Sequence, residues 1–261
     1  MRASVPDFPP AMTPSARLLP NKVPAITAGF WAIKILSTTV GETVADTLAV
    51  NVGLGGAATA LGMAALLAAA LAGQMRARRC VPWLYWLTVV LVSIVGTQIT
   101  DALTDGLGVS LYASTAAFAV ALAAVFALWH RSEGTLDIAR IDTPRREAWY
   151  WAAILCTFAL GTAAGDLATE ALGMGFQWGV AVFAGAIVLD ALAWRAGLHP
   201  VTAFWIAYVL TRPLGASLGD LLSQSTTYGG LGWGALSTSV AFILVIVALV
   251  ARAQRRAVGL S

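Results

Sequence analysis

Long apolar runs fill this chain and are separated by short polar breaks. Eight such segments stand out, roughly at 24–49, 53–75, 82–104, 109–130, 148–171, 175–195, 200–223 and 230–251. Each is near the ~20 residues that an α-helix needs to cross the hydrocarbon core of a bilayer. The pattern predicts an all-α polytopic membrane protein with eight transmembrane helices.

The odd-numbered segments share one spacing: a tryptophan, nine residues, a glycine, four residues, an aspartate. The copies are Trp31-Gly41-Asp46, Trp86-Gly96-Asp101, Trp151-Gly161-Asp166 and Trp205-Gly215-Asp220. The even-numbered segments are nearly featureless, and each pair of segments closes with an arginine, Arg76, Arg131, Arg195 or Arg252. The unit is therefore a helical hairpin of about 55 residues used four times. This divides the chain into a cytoplasmic disordered tail (1–22), repeats 1 and 2 (23–131), a cytoplasmic loop (132–147) and repeats 3 and 4 (148–255).

Lysine and arginine placement gives an orientation. Most of the 16 basic residues lie in the tail, the even-to-odd connections or the C-terminal end; Lys34 and Arg212 lie within spans. By the positive-inside rule both termini are cytoplasmic. Each unit has two spans, so all four run the same way, related by an axis along the membrane normal. A pseudo-fourfold ring and a dimer of two-hairpin halves both fit.

Counting from the tryptophan, positions +7, +11 and +15 share one helix face. Position +15 is the aspartate. Position +11 is Glu42, Thr97, Thr162 or Ala216, and position +19 is Val50, Asp105, Glu170 or Gln224. Three copies thus double their carboxylate, as Glu42/Asp46, Asp101/Asp105 and Asp166/Glu170. Beside this stripe lie Gly41, Gly96, Gly161 and Gly215, each followed four residues on by another small residue, a spacing that suits close helix packing in lipid. Trp31, Trp86, Trp151 and Trp205 read as anchors at the inner interface, which puts the glycines near the midplane and the aspartates in the outer third.

Intramembrane carboxylates are costly and mark ion or proton pathways. A layer of four to seven is relieved by bound protons, a bound cation or internal basic partners, and Lys34 and Arg212 are candidates for charge balance or gating. Pro213, beside Arg212, removes a backbone donor and is expected to kink the seventh span. Asp190 reads as structural. His130 and His199 read as interfacial polar residues.

Composition narrows the classes. The chain of 261 residues is 59% hydrophobic and 11% charged, with mean hydropathy +0.78; a soluble chain carries about 25% charged residues. The pI near 9.1 does not point to nucleic acid, because the basic residues flank spans and form no separate domain. Cys80 and Cys156 form no disulfide framework or metal spacing. No signal peptide, phosphate loop, nucleophile elbow or zinc-protease motif appears, so neither an enzyme nor a bound cofactor is expected.

The fourfold motif, with NKVPAITAGFWAIKILSTTVGETVADTL as its first copy, resembles a family of bacterial membrane proteins built from four tandem two-span repeats. That family is described as a repeat of unknown function. The resemblance covers about 21–255. It implies an eight-span inner-membrane protein and carries no established substrate.

From the residues themselves, the expected function is transport or export of a cation, such as manganese or magnesium, possibly coupled to protons. Oxygen-only ligands favour such ions. Asp46, Asp101, Asp166 and Asp220 are the candidate metal ligands, with Glu42, Asp105 and Glu170 as further binding groups. Partners are the lipid bilayer and a cation or protons; the oligomeric state is open. The alternative is a non-transporting scaffold or sensor subunit whose Asp/Gly stripes serve helix packing.

Overall fold

The computed structural model describes residues 21–51 and 56–259. It is all-helical, with eight α-helices: α1 Ala28–Asn51, α2 Gly56–Arg76, α3 Pro82–Asp101, α4 Leu111–Glu133, α5 Pro144–Asp166, α6 Phe176–Arg195, α7 Pro200–Ser223 and α8 Ala235–Gly259. Seven are long and apolar enough to cross a membrane by length and composition. The eighth, α1, is of matching length but carries Lys34 and Glu42. It occupies a place equivalent to α3, α5 and α7, so the protein is a polytopic membrane protein built on eight helices.

Helix starts follow from local chemistry. Pro82, Pro144 and Pro200 sit in the first turns of α3, α5 and α7, where a missing N–H costs nothing. Thr143 caps α5 by accepting from the Arg146 N–H, and His199 caps α7 through Nδ1. The α4 helix starts at the Ser110 hydroxyl cap and stops at Gly134, whose φ of 71° only glycine adopts readily. Pro213 does not interrupt α7, which stays helical through Ser223.

The odd helices form a closed inner ring. α1 packs on α3, α3 on α5, α5 on α7, and α7 returns to α1. The even helices form an outer layer that is mostly exposed. Each covers the odd helix of the following repeat: α2 lies on α3, α4 on α5, α6 on α7 and α8 on α1. The two helices of one repeat touch each other little. The repeat is a hairpin in sequence, but its two arms pack mainly with neighbours.

The motif glycines make the ring possible. A Cβ on Gly41 would overlap Ser93, one on Gly96 would lie 2.8 Å from Phe158 Cβ, one on Gly161 would overlap Arg212, and one on Gly215 would overlap Thr38. Ser93, Phe158, Arg212 and Thr38 all occupy position +7. Each glycine thus receives the +7 side chain of the next helix around the ring, with the same offset four times. The four helices are therefore parallel and at one depth. Hydroxyl-to-carbonyl bonds add to the seams, from Thr38 to Thr211 and from Thr100 to Ala159, both 3.2 Å.

At the tryptophan end, the segment before α1 is tied down. Lys22 is buried and donates to Glu147 at 2.5 Å and to the Met75 carbonyl at 3.1 Å, while its backbone N–H donates to Ile141. Lys22, the last residue of the expected tail of 1–22, is thus held by α2, α5 and the central loop. Residues 1–20 lie outside the described part. The central loop is shorter than 132–147, because α4 continues through Glu133 and α5 begins at Pro144. Arg145 and Arg146 pair with Glu133, and Arg146 also with Asp142.

Candidate functional site

The ring axis is built in layers four residues apart. One residue before each tryptophan stand Phe30, Tyr85, Tyr150 and Phe204, all buried. Next come Lys34, Val89, Ile154 and Tyr208 at +3, and then Thr38, Ser93, Phe158 and Arg212 at +7; all eight are fully buried. Glu42, Thr97, Thr162 and Ala216 form the +11 layer, and the motif aspartates form the next. Burial falls towards that end: Asp220 is buried, Asp101 and Asp166 are half-buried, and Asp105 and Glu170 are exposed. The Asp46 backbone belongs to α1, but its side chain lies outside the described residues.

The aromatic layer closes the tryptophan end. The Tyr85 and Tyr150 hydroxyls meet at 2.5 Å. Phe30 and Phe204 lie 6.3 Å apart between ring centroids, and Phe30 packs on Tyr85 at 6.5 Å. The register arithmetic that found the aspartates also finds this row, one position before the tryptophan; sequence reasoning missed it.

The motif tryptophans, expected as interface anchors, differ in burial. Trp86, Trp151 and Trp205 are buried among neighbouring aromatic rings, and only Trp31 is partly exposed. The Trp205 indole N–H donates to the Leu136 carbonyl at 3.0 Å, holding the central loop over the ring. Their position just after the aromatic layer turns these large side chains into the gaps between inner helices. Trp83, Trp178, Trp194 and Trp233 are the exposed tryptophans, near helix ends, where an indole suits the interface.

Two basic residues stand between the closed end and the acidic end. Arg212 Nη2 donates to Glu42 Oε2 at 2.6 Å and also to the Thr97 hydroxyl. Its Nε and Nη1 are buried without a hydrogen-bond partner among the described residues. Lys34 is fully buried and its Nζ has no hydrogen-bond partner there either. It lies 4.1 Å from the centroid of the Phe158 ring and 4.4 Å from that of Tyr208. Cation–π contact of this kind is worth about 2 kcal/mol when desolvated, far less than hydration of an ammonium. A buried amine held this way costs stability, which points to a role beyond packing.

At the acidic end the helices change pitch. Directly after Asp101 and Asp166, α3 and α5 pass into π-helical turns at Ala102–Gly106 and Leu167–Ala171. These turns carry Asp105 and Glu170. A π turn widens the backbone and is frequent at functional sites. The two widened ends belong to adjacent ring helices, so their four carboxylates lie on one side of the acidic end.

Among the described residues, no three His, Cys, Asp or Glu side chains stand close enough to hold a metal ion. Of the candidate metal ligands, Asp101, Asp166 and Asp220 therefore form no compact cage. What the arrangement offers is an acidic layer, less buried than the layers below it, above a buried Glu42–Arg212 pair, with a buried amine beneath and an aromatic floor.

No curated protein and no solved structure matches the chain. The family described as "Repeat of Unknown Function (DUF347)" matches it at four successive stretches, 29–80, 84–135, 149–196 and 203–257. These stretches coincide with the four tryptophan–glycine–aspartate units and take in most of the sequence, so the chain belongs to this repeat family.

Proposed function

We propose that the protein is a cation transporter of the bacterial inner membrane, coupled to protons, with its tryptophan end facing the cytoplasm. The observation that carries this reading is the unpartnered Lys34 amine beneath the acidic layer. The carboxylates at Asp101, Asp166, Asp220, Asp105 and Glu170, with Asp46 of the first repeat, gather the ion. Because they make no compact cage, the ion keeps much of its water. That suits Mg²⁺ or Mn²⁺, since Mg²⁺ dehydrates reluctantly and is held by one or two carboxylates.

A cation in the acidic layer and a proton on Lys34 repel each other across a low-dielectric ring. Their mutual exclusion is the elementary condition for exchange: loading one favours release of the other. Arg212 cannot serve in the same way, because arginine keeps its proton and Glu42 neutralises it. The Tyr208 hydroxyl, from the layer of Lys34, and the Tyr85 and Tyr150 hydroxyls of the aromatic floor offer proton-carrying groups on that side.

A second reading rests on a specific observation. Glu42 is already satisfied by Arg212 and Thr97, as in a ring whose polar groups only cross-link helices. One experiment separates the two. Proteoliposomes are loaded with an ion-sensitive dye, and Mg²⁺ and Mn²⁺ entry is followed with and without a pH gradient. Transport predicts flux that vanishes when Asp46, Asp101, Asp166 and Asp220 are jointly changed to Asn. It also predicts that Lys34→Met abolishes the response to the gradient. Flux unaffected by the fourfold change overturns the proposal, and no flux from folded wild-type protein favours the scaffold.

A further inference from the structure

Two crevices open on the outer surface of the ring at its tryptophan end. One, of about 440 Å³, lies beside Trp205 and is lined by Phe126, Leu136 and the first half of α7. The other, of about 320 Å³, lies beside Trp86, between the start of α1 and the last turns of α8. Trp86 and Trp205 belong to α3 and α7, which face each other across the ring, so the crevices occupy opposite sides.

Their chemistry differs. The Trp205 crevice is almost wholly apolar. The Trp86 crevice has an apolar floor of Phe30, Ile33, Trp86 and Leu249, and Arg252 and Arg256 stand at its rim. These two arginines are one helical turn apart on α8, and both are exposed. No carboxylate pairs with either among the described residues; Glu147 and Glu133, at the same end, are taken by Lys22 and by Arg145 and Arg146.

We infer that the Trp86 crevice is a binding site for one anionic phospholipid of the leaflet that meets the tryptophan end. The phosphate is held between Arg252 and Arg256, and the glycerol and first methylenes of one chain lie over Phe30 and Trp86. Charge complementarity selects an anion. The apolar floor selects a lipid over a soluble anion, which would gain nothing from Ile33 and Leu249. The volume is at the small end of the ~300–1,000 Å³ usual for ligand pockets, so it takes the upper part of a lipid and leaves the rest in the bilayer. Because α8 is the helix that covers α1, a lipid here bridges the first and last repeats.

The test uses the full chain, purified in detergent, with phosphatidylglycerol or phosphatidylcholine added and retained lipid counted by native mass spectrometry. One phosphatidylglycerol should be retained in preference to phosphatidylcholine. Single Arg252→Gln or Arg256→Gln changes should weaken retention about 5-fold each, and the double change about 30-fold. Arg78→Gln/Arg79→Gln, at the same end but outside the crevice, should leave retention unchanged. Equal retention of both lipids, or equal loss from the Arg78/Arg79 pair, overturns the site. Displacement by millimolar inorganic phosphate would make it a soluble-anion site and overturn the lipid assignment. A melting temperature within a few degrees of wild type shows that each variant is folded, since both arginines are exposed.

Discussion

Gly161 of α5 lies directly against the Cβ and Cγ of Arg212 in α7, so the one intramembrane arginine is seated by a missing side chain. Gly161→Ala should displace Arg212 from Glu42 and Thr97. Overpacking of this kind costs about 1–3 kcal/mol. Gly62→Ala and Gly185→Ala, where a Cβ meets open space, should be neutral or stabilise by up to about 1 kcal/mol. Thermal melting in detergent, followed by tryptophan fluorescence, compares the three. A Gly161→Ala protein as stable as the two controls would refute the seating.

The Glu42–Arg212 pair is buried, at 2.6 Å. Removing one partner leaves a charge without compensation, so Glu42→Gln or Arg212→Met alone should cost about 3–5 kcal/mol. The double variant should cost clearly less than the sum. The double-mutant cycle is read from denaturation midpoints, and strictly additive losses would mean that the two side chains do not act as a pair.

Lys22 forms the other buried pair, with Glu147. Lys22→Met should cost about 3–5 kcal/mol by stranding the carboxylate. Adding Glu147→Gln should restore part of that loss. If Lys22→Met melts like wild type, the segment before α1 contributes nothing to the fold.

Cys80 lies in the short connection between α2 and α3, and burial pushes its thiol up to about 11. A raised value means less thiolate at a given pH. At pH 7.4 alkylation should therefore run about 100-fold slower than for a free cysteine. In a Cys156→Ala background, iodoacetamide labelling followed by mass spectrometry measures the rate in folded and denatured protein. Fast labelling of the folded form would contradict the burial.

The eight helices and their parallel repetition were legible because hydrophobic runs of membrane length and a strict spacing are both properties of the chain alone. The acidic end was legible for the same reason: Asp101, Asp166 and Asp220 share a register and therefore a depth. The sequence could not tell a ring from a pair of halves. That choice rests on which side chain fills each glycine, and Gly41 meets Ser93 from another repeat, at a distance no local pattern encodes. The burial of the motif tryptophans was not legible, because an indole suits both an interface and an aromatic core. Trp86 differs from Trp83 only by facing inward, which depends on the neighbouring helix. Lys34 and Arg212 were visible as intramembrane charges. That one is paired and the other is not follows from Arg212 sitting at +7, close enough to reach Glu42, whereas Lys34 at +3 meets only rings.

The exchange of outer helices between repeats has a topological consequence. Because α8 covers α1, the eight helices pack as a cycle, and the break in the chain between the fourth repeat and the first is one of four even-to-odd places in it. Circular permutation at the α2–α3 or α6–α7 connection should therefore keep the packing, whereas a cut between α4 and α5 also releases the loop that holds Lys22 and Trp205. The same closure means that a nascent chain lacks the cover for its first span until its last has been made. Assembly in the membrane must be completed end to start, and half of the molecule is not a smaller version of the whole.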